Sequence, residues 1–560
     1  MLLRIGFAVL ALSYLMPGHF LPWTAFQPQW VSALALLALG AAAVSLRGAA
    51  ARRTPLPLPG PALLALALTP LPWLQYAFGQ LPFLSDALLP GLYLLAFGMS
   101  VVVGSALYSR LGERASEWLL DALLMAGAVS VGIALSQWLR IGTTPLIDDL
   151  RPGDRPGANL AQANHLATLL SLSVIALLQV YQARRLSSPV CGLLLVWLGL
   201  GLVMTQSRTG WLSMIIVAVV LLSLRRRLNL RASASAVGVA VGTFAAAILT
   251  WPAVNEWLLL DTANLADRLS VGTRRLHWAT LWDAAWRQPW FGYGWQQVTL
   301  AQQAAVLDHA PSHEMVQNSH NVVLDLLIWV GTPIGGTLAA VGTWWTWWRQ
   351  ARAINDAHRL WLWCAVLAIG VHALLEYPLD HAYFLLPLGL LVGLLEQSLP
   401  SAPLKSSRTL PRPVFVALLA AMTCMLFWIG QEYMRVEQAG RDVRLLLAGV
   451  GLDVVPSVPP PDVVLLDGPR EYHRFMITPA RAGMMNADLD WMRAVSQRNA
   501  YPPAMLRFAL AAGLNGRPEE AALTMRRLCA MHPPRRCSEA REAWRSAQES
   551  FPGIAAIPGP

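Results

Sequence analysis

Charge is what this sequence most lacks. Only 13% of its 560 residues are charged and 55% are hydrophobic, whereas a soluble globular domain carries about a quarter charged residues. An ordinary soluble globule is therefore excluded, and a polytopic membrane protein is left. Lysine is nearly absent too. Lys405 is the single lysine among 42 basic residues, a bias of base composition that carries no functional weight. The formal charge of +10 sits in short clusters between apolar runs, with no basic stripe interleaved with stacking aromatics, which argues against nucleic acid as a partner. Cysteine is scarce at five residues. No C-x-x-C, H-E-x-x-H or clustered His and Cys spacing occurs, which argues against a structural or catalytic zinc. Cys191, Cys364 and Cys424 lie in apolar runs and are expected to be small core residues. Cys529 and Cys537 lie in a polar tail, where an oxidising compartment would favour a disulfide between them.

What the sequence has instead is long hydrophobic runs. They fall near residues 5–25, 30–46, 61–79, 87–108, 117–138, 164–183, 189–205, 210–224, 232–251, 321–348, 359–377, 381–398 and 413–430, which predicts an all-α, polytopic membrane protein with about 13 transmembrane helices. The first run has no small-residue cleavage site and keeps Pro17 and Pro22 near its far end, so it reads as a retained span. Alternate connections carry the positive charge: Arg47, Arg52 and Arg53; Arg110 and Arg114; Arg184 and Arg185; Arg225, Arg226, Arg227 and Arg231; Arg349, Arg352 and Arg359; Lys405, Arg408 and Arg412. By the positive-inside rule these face the cytoplasm. The N-terminus is then inside, and the loop after Trp138, the turn at 207–210, the long polar segment, the turn at 376–381 and everything after about Gln431 are outside. The chain divides into a multispanning body, 1–430, with a large outer loop at 252–320, and an outer helical domain, 431–560.

The tail opens on a Pro-rich linker at 455–461. Its stretch 504–533, with Asn515-Gly516-Arg517-Pro518-Glu519-Glu520-Ala521-Ala522 between two helices, resembles one tetratricopeptide-type hairpin. A single repeat of this kind cannot bury its own face and must dock on neighbouring helices. A plain helical cap is the alternative.

The outer pieces hold nearly all the residues with chemical potential. His320 stands between Asn318-Ser319 and Asn321 at the start of an apolar helix, where unpaired N–H groups and the helix dipole suit an anion. Its imidazole can accept a proton near neutral pH, or His320 and Asn321 can simply cap the helix. Arg208, in Gln206-Ser207-Arg208-Thr209-Gly210, is an arginine at membrane depth, a functional position by default, with snorkelling to headgroups as its alternative. Arg274 and Arg275 precede a helical pattern with Trp278, Trp282 and Trp286. Their guanidinium forks suit phosphate oxygens, while the tryptophans equally suit an interfacial helix. Asn164 and His165 begin another span, and Glu376, Tyr377, Asp380 and His381 surround Pro378 in a tight turn. These read either as substrate-binding or supporting groups or as ordinary caps and turn residues.

Taken in order, the run His320-Asn321-Val322-Val323-Leu324 followed by Gly331 and Gly335, the upstream Arg274, Trp278, Pro289, Gly292 and Gly294, and the turn Ser207-Arg208-Thr209-Gly210 resemble the bacterial O-antigen ligase and polymerase superfamily. Three further stretches resemble its protein O-oligosaccharyltransferase branch: Pro17-Gly18-His19-Phe20-Leu21-Pro22-Trp23, Asn159-Leu160-Ala161-Gln162-Ala163-Asn164-His165, and Glu376-Tyr377-Pro378-Leu379 with Tyr383-Phe384-Leu385-Leu386-Pro387. Gly18 replaces a more polar residue and Ala163 the usual proline, and the tail's match is only general. The resemblance implies an inner-membrane glycosyltransferase whose active site, outer loop and tail face the periplasm. It would take a glycan from undecaprenyl diphosphate to an acceptor hydroxyl. On that expectation Arg208, Arg274 and Arg275 hold the diphosphate, His320 is catalytic, and Asn321, Asn164, His165, Glu376, Tyr377 and Asp380 bind or support substrate. With arginines serving as the cations, no metal or other cofactor is expected. The acceptor expected first is Ser or Thr of a periplasmic, pilin-like protein. Lipid A core or another glycan repeat, as in a ligase or polymerase, is the second reading. A lipid-linked sugar transporter is a third, disfavoured because no internal repeat is seen and ionisable residues gather on one face.

Overall fold

The structure is a computed structural model that describes residues 1–45, 55–141, 144–151, 153–260, 272–399, 408–447 and 459–559. Arg47, Arg52, Arg53 and Lys405 of the basic clusters, and the start of the Pro-rich linker, lie outside the described residues. Nearly every described element is a helix, apart from one two-stranded pairing of Leu56–Pro57 with Thr409–Leu410. Among the described residues eight helices are long and apolar enough to cross a membrane, and Leu2–Ser13, Arg208–Leu224, Ala357–Ala373 and Ala382–Gln397 are apolar but shorter. Two of the expected spans differ. The helix expected over 5–25 ends at Ser13, and the residues around Pro17 and Pro22, which cannot sustain a helical ladder, form a loop. The run at 61–79 is divided at Thr69-Pro70 into Gly60–Leu68 and Leu71–Ala77.

The chain forms two compact units. The first comprises Met1–Thr69, Leu92–Leu269 and Gly342–Trp428. Among its long helices the most buried is Ala163–Gln182, which packs against Glu113–Trp138, Ser188–Thr205, Arg208–Leu224 and Ala357–Ala373. Small residues make this possible, as helix packing in lipid requires. A Cβ added to Gly127 would meet Ser173 Oγ at 2.0 Å, and one added to Gly210 would meet Ala167 Cβ at 2.7 Å. Basic residues of one expected cytoplasmic cluster are tied down here. Glu396 accepts from Arg349, Gln350 and Trp345, and fully buried Arg359 donates to Gln350 and Ser398.

The second unit comprises Pro70–Gly91, Ser270–Val341 and Ile429–Pro560. One apolar core joins Phe83 and Val306 to tail residues such as Phe475, Met492, Phe508 and Trp544. Polar contacts reinforce it. Asp467 accepts from the N–H groups of Leu84 and Ser85 at 2.8 Å each, Arg498 pairs with Asp86 at 2.9 Å, and Gln303 donates to the Gln497 carbonyl at 2.8 Å. In the tail, helices Pro502–Leu514 and Pro518–Met531 flank the turn Asn515-Gly516-Arg517, and a disulfide joins Cys529 to Cys537.

Within this unit the helix Val322–Thr343 breaks at Gly331, whose φ is 77°. A break in an apolar helix strands backbone groups, and each needs a partner. The Ile328 carbonyl, which Thr332 would have served, accepts from Tyr293 N–H at 2.7 Å, and Thr332 N–H donates to the Pro289 carbonyl at 2.6 Å. Pro333 has no N–H to offer the Trp329 carbonyl, and Gln75 Nε2 supplies that bond at 2.8 Å while its Oε1 accepts from Trp295 N–H. Backbones approach so closely that a Cβ on Gly331 would meet the Trp290 carbonyl oxygen at 2.4 Å, and one on Gly292 the Ile328 oxygen at 2.3 Å. This accounts for the glycines at both positions. Gly331→Ala should therefore cost about 2 kcal/mol or more, from the left-handed conformation plus the collision. The thermal unfolding midpoint in detergent reads this, and an unchanged midpoint would show that the break tolerates a side chain.

Candidate functional site

In the second unit the segment before Val322–Thr343 is built by hydrogen bonds that fix each backbone group in turn. Asn321 Oδ1 accepts from the N–H groups of Val323 and Leu324 at 3.0 and 3.2 Å, so it caps the helix. Ser319 is buried and held three ways. Its N–H donates to Asp325 Oδ1 at 2.9 Å, its carbonyl accepts from Trp278 Nε1 at 2.8 Å, and its hydroxyl donates to the Asn321 carbonyl at 2.9 Å. Between these two fixed residues His320 takes a left-handed φ of 58° and is half-buried. A histidine rarely adopts that conformation unless its surroundings impose it.

The helix Gly272–Arg287 supplies the neighbours. Arg274 is half-buried and Arg275 exposed in its first turns, and Trp278 and Trp282 follow at four-residue spacing on one face. A groove of about 600 Å³ is lined by Trp278, Trp282, Val323, Leu324 and Leu327, with Asn321 as its polar member. His277 is buried, which holds its pKa below the ordinary histidine value. Glu314, 3.8 Å away, opposes that shift, and the Arg274 guanidinium adds to it. This cluster can present a cation pair, an imidazole and an apolar wall to an amphiphilic anion.

In the first unit three separate sequence motifs meet. Asn164 Nδ2 donates to Glu376 Oε1 at 2.9 Å, Ser207 Oγ donates to Asn164 Oδ1 at 2.9 Å, and Ser207 Oγ accepts from Gly210 N–H as the cap of Arg208–Leu224. Gln162 Nε2 reaches Tyr377 Oη at 3.4 Å. Burial pushes the Tyr377 phenol above its ordinary value, and Glu376 and Asp380 add to the effect. Asp380 is half-buried in the short helix Pro378–Asp380. Arg208 is exposed and makes no ion pair among the described residues, so its charge is available to a ligand. His165 is turned inward at 1% exposure, bonded through Nδ1 to Tyr383 Oη at 2.9 Å and set against the rings of His381 and His372. Its observed contacts belong to the core.

Sequence reasoning missed Asp325, Asp148 and Gln75. Asp325 was the readable one, since a carboxylate inside an apolar span calls for a partner. Asp148 joins the N-terminal motif to the 157–165 loop. It accepts from Gly18 N–H at 2.8 Å and pairs with His19 at 3.3 Å, while His19 Nε2 also bonds the Asn159 carbonyl at 2.9 Å. Among the described residues no group of three or more His, Cys, Asp or Glu is placed to hold a metal ion.

Residues 193–339 match the family described as O-Antigen ligase, residues 156–178 the one described as Protein glycosylation ligase, and residues 360–547 the one described as Virulence factor membrane-bound polymerase, C-terminal. The chain is 30% identical over 449 residues, 77% of its length and 76% of the relative's, to a General O-oligosaccharyltransferase of Acinetobacter baylyi. It is 28% identical to a ComP-specific O-oligosaccharyltransferase of the same organism over 268 residues, 47% of this chain and 48% of that protein.

The pair His19 and Asp148 gives a pH test. Burial disfavours the charged imidazole, but the Asp148 carboxylate and the Asn159 carbonyl outweigh it and raise the pKa. A raised folded value means the stabilisation is complete below the ordinary histidine pKa of about 6.5 and is lost as pH climbs through the folded value. The gap in thermal midpoint between the native protein and His19→Gln should be widest in mild acid and should narrow as pH rises. A gap that is constant with pH would detach His19 from this pairing.

Proposed function

The chain belongs to the O-oligosaccharyltransferases, and from that premise we propose that it transfers a glycan from undecaprenyl diphosphate to a Ser or Thr hydroxyl of a periplasmic, pilin-like protein. The observation that carries this reading is the 30% identity to a General O-oligosaccharyltransferase across 77% of the chain. The match to Protein glycosylation ligase over residues 156–178 adds to it. It is a membrane enzyme that acts on a lipid-linked glycan. We place it in the bacterial inner membrane, with its shorter apolar helices also crossing to give about 13 spans and the arginine clusters on the cytoplasmic side. The outer loop, the tail and the active site then face the periplasm. The tail hairpin serves as a tetratricopeptide-like element.

The chemistry follows from the residues. The acceptor oxygen attacks the anomeric carbon, the bond from that carbon to the diphosphate oxygen breaks, and the diphosphate leaves with the electron pair. His320 accepts the hydroxyl proton, from a fixed position at a helix N-terminus where developing negative charge is also favoured. Arg208, Arg274 and Arg275 are each proposed as cations for the carrier's diphosphate. Asn164, Glu376 and Tyr377 form a bonded polar group that supports substrate, and His165 supports that group through the core. No metal is required, because arginine supplies the positive charge. The match of residues 193–339 to O-Antigen ligase favours a second reading in which lipid A core is the acceptor.

Mass spectrometry of periplasmic and outer-membrane proteins, run beside lipopolysaccharide gels with and without the gene, separates the two. Loss of protein glycans with unchanged lipopolysaccharide is the expected result, and the reverse selects the second reading. In vitro, Arg208→Ala or Arg274→Ala should weaken carrier binding and slow transfer on the order of 100-fold. Lysine should restore only part of this because it keeps the charge and loses the fork. His320→Ala should slow transfer by ~100-fold or more with carrier binding little changed. Near-normal turnover by His320→Asn would leave His320 without a catalytic role. Full activity in a metal chelator is expected as well.

A further inference from the structure

Asp325 is only 3% exposed in a helix that is otherwise apolar. A carboxylate so placed carries a large desolvation penalty and persists where its charge or its lone pairs are used. Its Oδ1 accepts the Ser319 N–H at 2.9 Å. The opposite end of Ser319, its carbonyl, accepts from the Trp278 indole N–H at 2.8 Å. The two bonds hold the residue before His320 from both sides, Asn321 is fixed as the helix cap, and His320 is left in a left-handed conformation with φ of 58°. Unpartnered, the segment 318–321 would relax to an extended or right-handed conformation and would swing the imidazole away, because the left-handed region is unfavourable for a residue with a Cβ.

We infer that Asp325 and Trp278, acting through the N–H and the carbonyl of Ser319, are positioning residues that fix the imidazole of His320 for proton transfer. This rests on the proposed role of His320. A positioning group changes how often the base is aligned and not how tightly the carrier binds, so its loss falls on kcat. A displacement of about an ångström is enough to cost ~100-fold. Asn at 325 still offers an amide oxygen to the Ser319 N–H, whereas Ala offers nothing.

The test measures kcat and the KM for a lipid-linked glycan in purified full-length protein, for Asp325→Ala, Asp325→Asn and Trp278→Phe, each alone and combined with His320→Ala. Asp325→Ala should lose ~100-fold in kcat with KM nearly unchanged, and Asp325→Asn should recover most of it. In the His320→Ala background neither Asp325→Ala nor Trp278→Phe should slow the residual reaction further, because there is no imidazole left to align. A merely structural role would lower the residual rate by the same factor as in the native background, and that result overturns the inference, as does full kcat in Asp325→Ala. If Asp325→Ala does not fold, Trp278→Phe decides. It keeps an aromatic ring, removes the indole donor and should lower kcat, and an unaltered kcat refutes the assignment. Full activity of His320→Ala would instead remove the catalytic role on which the inference depends.

Discussion

Everything distinctive in this molecule depends on the rule that a backbone polar group removed from water must find a partner. The helix Val322–Thr343 breaks the rule locally, at Gly331 and Pro333, and the surrounding chain restores it. The loop 289–295 presents the Pro289 carbonyl and the Tyr293 N–H where the helix has lost its own, and Gln75 supplies a side-chain amide to the carbonyl that proline cannot serve. Glycine at 292 and 331 is the geometric requirement for that exchange, since each stands where a Cβ would strike a backbone oxygen. The run Pro289 to Trp295 is thus half of one structural element whose other half is the broken helix.

The same rule, applied to side chains, shapes the candidate chemistry. In the first unit Ser207, Asn164 and Glu376 satisfy one another in a chain of hydrogen bonds across three helix ends. In the second, Ser319 is satisfied by Asp325, Trp278 and Asn321. Residues fixed in this way lose little entropy when a substrate arrives, which is how a site built at helix ends acquires precision. Arg208, by contrast, is left exposed, as suits a group whose counter-charge comes from outside.

Hydropathy and punctuation made much of this readable. The apolar runs mark the helices well where no proline interrupts them, and the caps at Ser207 and Asn321 stand where the polar residues precede the runs. The run at 5–25 misleads because averaging over a window hides Pro17 and Pro22, whose effect is local. Pairings across distance were not readable. Asn164 and Glu376 lie 212 residues apart, and nothing in either neighbourhood names the other. Nor does local sequence reveal that His320 is left-handed, because that conformation is imposed by Asp325, Trp278 and the cap acting together. His165 shows the converse limit, since its place in a polar motif gave no sign that its ring turns into the core.

The core that Phe83 and Val306 share with Phe475, Phe508 and Trp544 also sets an order of events in synthesis. Phe83 leaves the ribosome first, Val306 later, and the tail after both. Until the tail emerges, Phe83 and Val306 lack the rings of Phe475, Phe508 and Trp544, and Leu84 and Ser85 lack the carboxylate that caps their helix. The second unit, which contains His320, therefore acquires this core only after the residues from Asp467 to Trp544 have joined Phe83 and Val306.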